Sequence, residues 1–143
     1  MKKFKNLECI LLIDDDEATN YINKMVIQNA DLDVNIEVCE NGRIGLDYLT
    51  CQGRYASEKE FPQPGIIFLD INMPGMNGWE FMDAYKNLPN NQKARIVIAM
   101  LTTSLNPDDE FKGESNLEIR SFMHKPLTLE MLMDIVSSNF TEI

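Results

Sequence analysis

The feature that most constrains this chain is a set of short apolar runs, each stopping abruptly at polar residues. Cys9-Ile10-Leu11-Leu12-Ile13, Gly65-Ile66-Ile67-Phe68-Leu69 and Ile96-Val97-Ile98-Ala99-Met100-Leu101 are unbroken. Unbroken runs of this length suit strands covered on both faces, as in a parallel sheet. Val34, Ile36 and Val38 instead alternate with Asn35 and Glu37, the pattern of a half-exposed edge strand. Ile119 to Met123 is a weaker fifth strand candidate. Helical spacings fill the gaps. Tyr21, Ile22, Met25 and Val26 mark a helix over about residues 17–29. Ile44, Leu46 and Leu49 mark one over about 42–51, and Trp79, Phe81, Met82, Tyr85 and Leu88 one over about 78–88. Asn106 followed by Pro107 and three acids starts another, short helix, with Gly113 and Ser115 close behind. Thr128 caps the last, over about 128–140, with Leu129, Leu132, Met133, Ile135 and Val136. Five β units alternating with five α units predict an α/β fold: a doubly wound, five-stranded parallel sheet with right-handed crossovers.

The chain of 143 residues fits one domain, with a core over about 7–140 and no room for an output domain. Gln52 to Pro64 reads as a surface loop, not a linker. Thirteen basic against 23 acidic residues give a net charge of −10. That balance disfavours nucleic acid and anionic membrane surfaces, which are held by Lys and Arg. It favours a divalent cation or a basic protein surface. Cys9, Cys39 and Cys51 form no C-x-x-C pair, which indicates a reducing compartment without a disulfide framework or zinc site. The basic start, Met1 to Lys5, precedes an apolar run of only five residues, too short for a signal peptide or a membrane span. A cytoplasmic location is the default expectation.

Ligands of open α/β sheets bind beyond the carboxyl ends of the strands. Asp14-Asp15-Asp16-Glu17 follow the first run, Asp70 and then Asn72 the third strand, Thr102-Thr103-Ser104 the fourth, and Lys125-Pro126 the fifth. Carboxylates, hydroxyls and a lysine therefore converge on one edge. Asp16 and Glu17 suit the start of the next helix, where acids complement the helix dipole. Gly75 and Gly78 read as a turn, since a P-loop's spacing and lysine are missing. His124 reads as a surface or partly buried histidine.

The pieces I-L-L-I-D-D-D, F-L-D-I-N-M-P-G-M-N-G, M-L-T-T-S and F-M-H-K-P, in that order at the ends of four strands, resemble the CheY-like receiver domain of bacterial two-component systems. The resemblance covers about residues 7–140 and implies a flavodoxin-like (βα)5 fold with strand order 2-1-3-4-5. It implies phosphorylation of Asp70 by a sensor histidine kinase or a histidine phosphotransfer protein. Magnesium or manganese would be held by Asp14, Asp15, Asp70 and the backbone carbonyl of Asn72. Lys125 would meet the phosphoryl oxygens, and Thr102 and Phe122 would act as switch residues. The Lys125–Pro126 peptide is usually cis in this family. Formal charges agree: three carboxylates give −3, and one magnesium ion with Lys125 gives +3, so the site can take on phosphoryl charge. The output would be a changed affinity for an unidentified protein, through the face built by the fourth helix, fifth strand and fifth helix. A homodimer through that face is an alternative outcome.

Two other readings share part of this pattern. A haloacid-dehalogenase-type phosphatase also carries a nucleophilic Asp after a strand, but needs a second Asp two residues on as general acid–base. Asn72 stands there, so the chain reads as a signalling phosphoacceptor and not as an enzyme. A pseudo-receiver would bind partners without being phosphorylated.

Overall fold

The computed structural model describes residues 1–56, 63–93 and 97–143. Residues 57–62 of the Gln52–Pro64 loop and the start of the third apolar run, Ile96, lie outside the described residues. The strands are β1 (Cys9–Ile13), β2 (Asn35–Cys39), β3 (Ile66–Leu69), β4 (Val97–Thr102) and β5 (Ile119–His124). The α-helices are α1 (Glu17–Asn29), α2 (Gly42–Thr50), α3 (Gly78–Tyr85), α4 (Pro107–Ser115) and α5 (Leu129–Asn139). All strand pairs are parallel, in the order β2-β1-β3-β4-β5, as expected.

The unbroken runs are unbroken because both faces of the central strands are covered. Leu11, Ile13, Ile67, Leu69, Ile98 and Met100 face one way, against Leu46 and Leu49 of α2 and Phe81 of α3. Ile10, Leu12, Ile66, Phe68, Ala99 and Leu101 face the other way, against Ile27 of α1 and Leu132, Ile135 and Val136 of α5. The alternating strand, β2, is at an edge, with Asn35 exposed, Ile36, Glu37 and Val38 half-buried and Cys39 buried.

Helix starts follow local chemistry. Asp16 caps α1, Asn41 caps α2, Asn106 caps α4 with Pro107 at the first helical position, and Thr128 caps α5. Asn77 and Glu80 close a reciprocal capping box on α3. The second helix stops at Thr50, since Cys51 adopts a left-handed φ of 55° and caps it.

One expectation changes. The helix over residues 17–29 is present, but of the four residues that marked it only Val26 packs against the core. Tyr21, Ile22 and Met25 are exposed at 67%, 49% and 43%, while Asn20, Asn23 and Ile27 point inward. The cause is position. The first turns of α1 sit over the tip of β1, where Asn20 Nδ2 donates to the carbonyl oxygen of Asp14 at 2.8 Å. An inward leucine could not satisfy that buried carbonyl. Among the described residues, no helix is long and apolar enough to cross a membrane.

Candidate functional site

Parallel register carries the chemistry to one edge. Ile13 pairs with Leu69, so the next residues, Asp14 and Asp70, come side by side. Their amides are held by the sheet, with Asp70 N donating to Ile13 O at 3.0 Å and Asp14 N to Cys39 O at 3.1 Å. Thr102 ends β4 opposite His124, and its carbonyl accepts the Lys125 amide at 2.9 Å. The Lys125–Pro126 peptide is cis.

Asp14 and Asp70 are both buried. Lys125 Nζ lies 2.6 Å from Asp14 Oδ2 and 3.5 Å from Asp70 Oδ2, so one ammonium serves two carboxylates. Burial, then the charge of Asp14, pushes the Asp70 carboxyl above its ordinary value, with Lys125 opposing. Burial alone would lower Lys125, but the hydrogen bond and charge of Asp14, with those of Asp70, outweigh it and hold the ammonium protonated. Asp70 Oδ1 also accepts the Ile71 amide at 2.9 Å. Asp15 is exposed, yet an oxygen of its carboxylate lies within 4.8 Å of those of Asp14 and Asp70. Three hard oxygen donors around a site with one lysine leave an unbalanced negative charge. Such a donor set fits a magnesium-like cation, which takes carboxylate oxygens and keeps several waters.

Of the three neighbouring hydroxyls, Thr102 is fully buried and Thr103 exposed. Asn72 is exposed in the loop two residues past Asp70. Asp16 stays with the helix, its carboxylate accepting from Ala18 N and Thr19 Oγ1. His124 is exposed, with its ring bonded to the Ser104 carbonyl at 3.1 Å and set edge-on to Phe122. Phe122 is half-buried against the core.

Several contributors are invisible in the sequence pattern. Gly78 starts α3 so close to the site that a Cβ there would meet the Asp70 carbonyl oxygen at 2.4 Å. Only glycine lets α3 begin under Asp70. Gly113 in α4 likewise leaves room for the Phe122 ring, where a Cβ would meet Cδ2 at 2.2 Å. A polar chain also leads away from Thr102. Ser104 N donates to Thr102 Oγ1 at 3.1 Å, and Ser104 Oγ donates to Asp109 Oδ2 at 2.6 Å. The second Asp109 oxygen accepts the Trp79 indole N–H at 3.0 Å. The hint in the sequence was Ser104 five residues before an acid beside a helix start; the 30-residue reach to Trp79 gave none.

The model of the response regulator receiver domain family matches residues 10–137. This chain belongs to that family. A two-component response regulator from Cytophaga hutchinsonii superposes with a TM-score of 0.77 at 32% identity, over 92% of this chain and 96% of that one. Response regulator Rcp1 of Synechocystis is 29% identical, over 89% of this chain and 82% of Rcp1. The phosphorylated cyanobacterial phytochrome response regulator RcpA has a TM-score of 0.71 at 27% identity, over 92% of this chain and 90% of that one. The receiver is thus CheY-like in fold, with its acidic cluster and lysine at the carboxyl edge of the sheet.

Proposed function

We propose that this receiver accepts a phosphoryl group on Asp70 from a phosphohistidine donor and changes its protein contacts in response. The observation that carries the reading is the shared lysine: Lys125 faces Asp14 and Asp70 together, with Asp15 beside them. An Asp70 carboxylate oxygen forms the new P–O bond as the donor's P–N bond breaks, and the imidazole nitrogen leaves with the electron pair. Asp14, Asp15, Asp70 and the Asn72 carbonyl would hold magnesium or manganese. The ion would supply positive charge for the phosphoryl oxygens. Lys125 supplies a fixed charge to the same oxygens. Asn72 has no acidic proton to transfer, which favours a lasting aspartyl phosphate over turnover.

Thr102 supports the switch. Its hydroxyl can donate to a phosphoryl oxygen while still accepting from Ser104 N–H, so movement at Thr102 draws the Ser104–Asp109 chain with it. Phe122, packed against α4, is the second switch residue. The exposed Tyr21, Ile22 and Met25, on the helix that follows Asp15, offer the donor protein an apolar docking face beside the site. Residues 7–140 act as one receiver unit in this reading.

Incubation with magnesium and acetyl phosphate tests it. We expect a mass gain of one phosphoryl group that is lost in Asp70→Asn and without the metal. No gain would support a receiver that binds without phosphorylation. Steady release of phosphate from generic phosphomonoesters would instead establish a hydrolase.

A further inference from the structure

A second surface lies away from the carboxylates, between α3 and α4. A groove of about 420 Å3 opens there, lined by Trp79 and Met82 on one side and Phe111 and Lys112 on the other. Phe111 is 72% exposed in the middle of a helix. Exposed apolar side chains gathered beside an open groove are the pattern of an interaction surface, unlike apolar residues scattered singly. Leu105 and Leu117, at 85% and 101% exposure, flank the same helix.

Charge narrows the occupant. Helices α3 and α4 carry Glu80, Asp83, Asp108, Asp109, Glu110 and Glu114 against a single lysine, Lys112. All but Asp109 are exposed, and Asp109 is engaged with Ser104 and Trp79. That lysine already lies over the Trp79 ring, 5.6 Å from its centroid, so the indole face accepts a cation. A second copy of the chain would set this acidic rim against itself, and an anionic bilayer would be repelled. A groove between two helices, with no free sheet edge in it, suits a helix and not an added strand.

We propose that the α3–α4 groove binds a basic amphipathic helix of a partner protein. Its apolar side chains would pack on Phe111, Trp79 and Met82, and its Lys or Arg residues would meet Asp83, Glu110 and Glu114. The groove also touches the switch. Trp79 is joined through Asp109 and Ser104 to Thr102, so phosphorylation would alter one wall of the groove. This coupling rests on the proposed phosphorylation of Asp70; the groove itself does not.

The test uses the full, unphosphorylated chain and two synthetic helical peptides, one of Leu, Lys and a single Phe, the other with Glu for Lys. Trp79, the one tryptophan, reports binding by its emission, and amide chemical shifts locate it. We expect the Lys peptide to bind in a salt-sensitive way, with shifts centred on α3 and α4, and the Glu peptide not to bind. Phe111→Ser, at an exposed position that should fold normally, should weaken binding about tenfold. Asp83→Lys should weaken it as well. Shifts centred elsewhere, or equal affinity in Phe111→Ser, would overturn the proposal. So would self-association of the chain that Phe111→Ser abolishes, since the occupant would then be a second copy. Repeating the titration with magnesium and acetyl phosphate reads the coupling alone. If the chain takes up no phosphoryl group, the coupling fails and the groove result stands. If phosphoryl uptake leaves the affinity unchanged, the coupling also fails.

Discussion

Replacing Gly113 with alanine sets two effects of known sign against each other. Gly113 is buried in α4, and its φ is not in the left-handed region, so alanine suits the backbone. In a helix interior, alanine gains about 1 kcal/mol over glycine. The new methyl, however, would lie 2.2 Å from Phe122 Cδ2 and 3.1 Å from Cγ. Carbon atoms pack at roughly 3.5–4 Å, so the ring must retreat by more than about 1 Å. If the ring is held in place, overpacking costs about 1–3 kcal/mol. If it swings outward, the half-buried ring loses part of the ~1.5–3 kcal/mol that full burial of such a side chain contributes, about 1 kcal/mol. The cheaper route nearly cancels the alanine gain, and net stability should change by less than about 1 kcal/mol. In a Phe122→Ala background the clash is gone, and the same substitution should stabilise by the full ~1 kcal/mol. Urea unfolding of the four proteins measures the difference, expected at about 1–2 kcal/mol of coupling. Additivity within about 0.5 kcal/mol would refute the reasoning, because the ring would then not be resting on the glycine.

Lys125→Met leaves Asp14 and Asp70 buried without their cation. Thermal unfolding should show a loss approaching the ~3–5 kcal/mol of a broken buried pair, less whatever proton uptake recovers, and magnesium should restore more stability to this variant than to the parent. Removing the capping box with Asn77→Ala should cost about 1 kcal/mol in urea unfolding, because the Glu80 amide loses its acceptor. The thiols should separate by burial. Burial pushes Cys9 up to about 11 and Cys39 up to about 12, the latter with its sulfur beside the Tyr55 hydroxyl. At pH 8 a thiol reagent should therefore label the partly exposed Cys51 first and reach the other two only on unfolding.

The sheet was legible in the sequence because its strands are buried on both faces. Cys9–Ile13 and Ile66–Leu69 carry no polar residue to disguise them, and Asn35–Cys39 shows its edge position by alternating. Caps were legible for a similar reason: Asn106 and Thr128 act within a few residues of themselves. Asp14, Asp70, Thr102 and Lys125 stood out in the sequence because each directly follows or ends a strand. Their convergence is then a consequence of parallel register. Distances across the fold were not legible. No spacing says that one lysine spans Asp14 and Asp70, that Gly113 makes room for Phe122, or that Asp109 joins Ser104 to Trp79. The inner face of α1 was misleading for the same reason. Tyr21, Ile22 and Met25 have the periodicity of a buried stripe, but what lies over the tip of β1 is a carbonyl that needs Asn20. Local patterns record which residues avoid water, whereas only the packed structure decides which groups must be satisfied when water is gone.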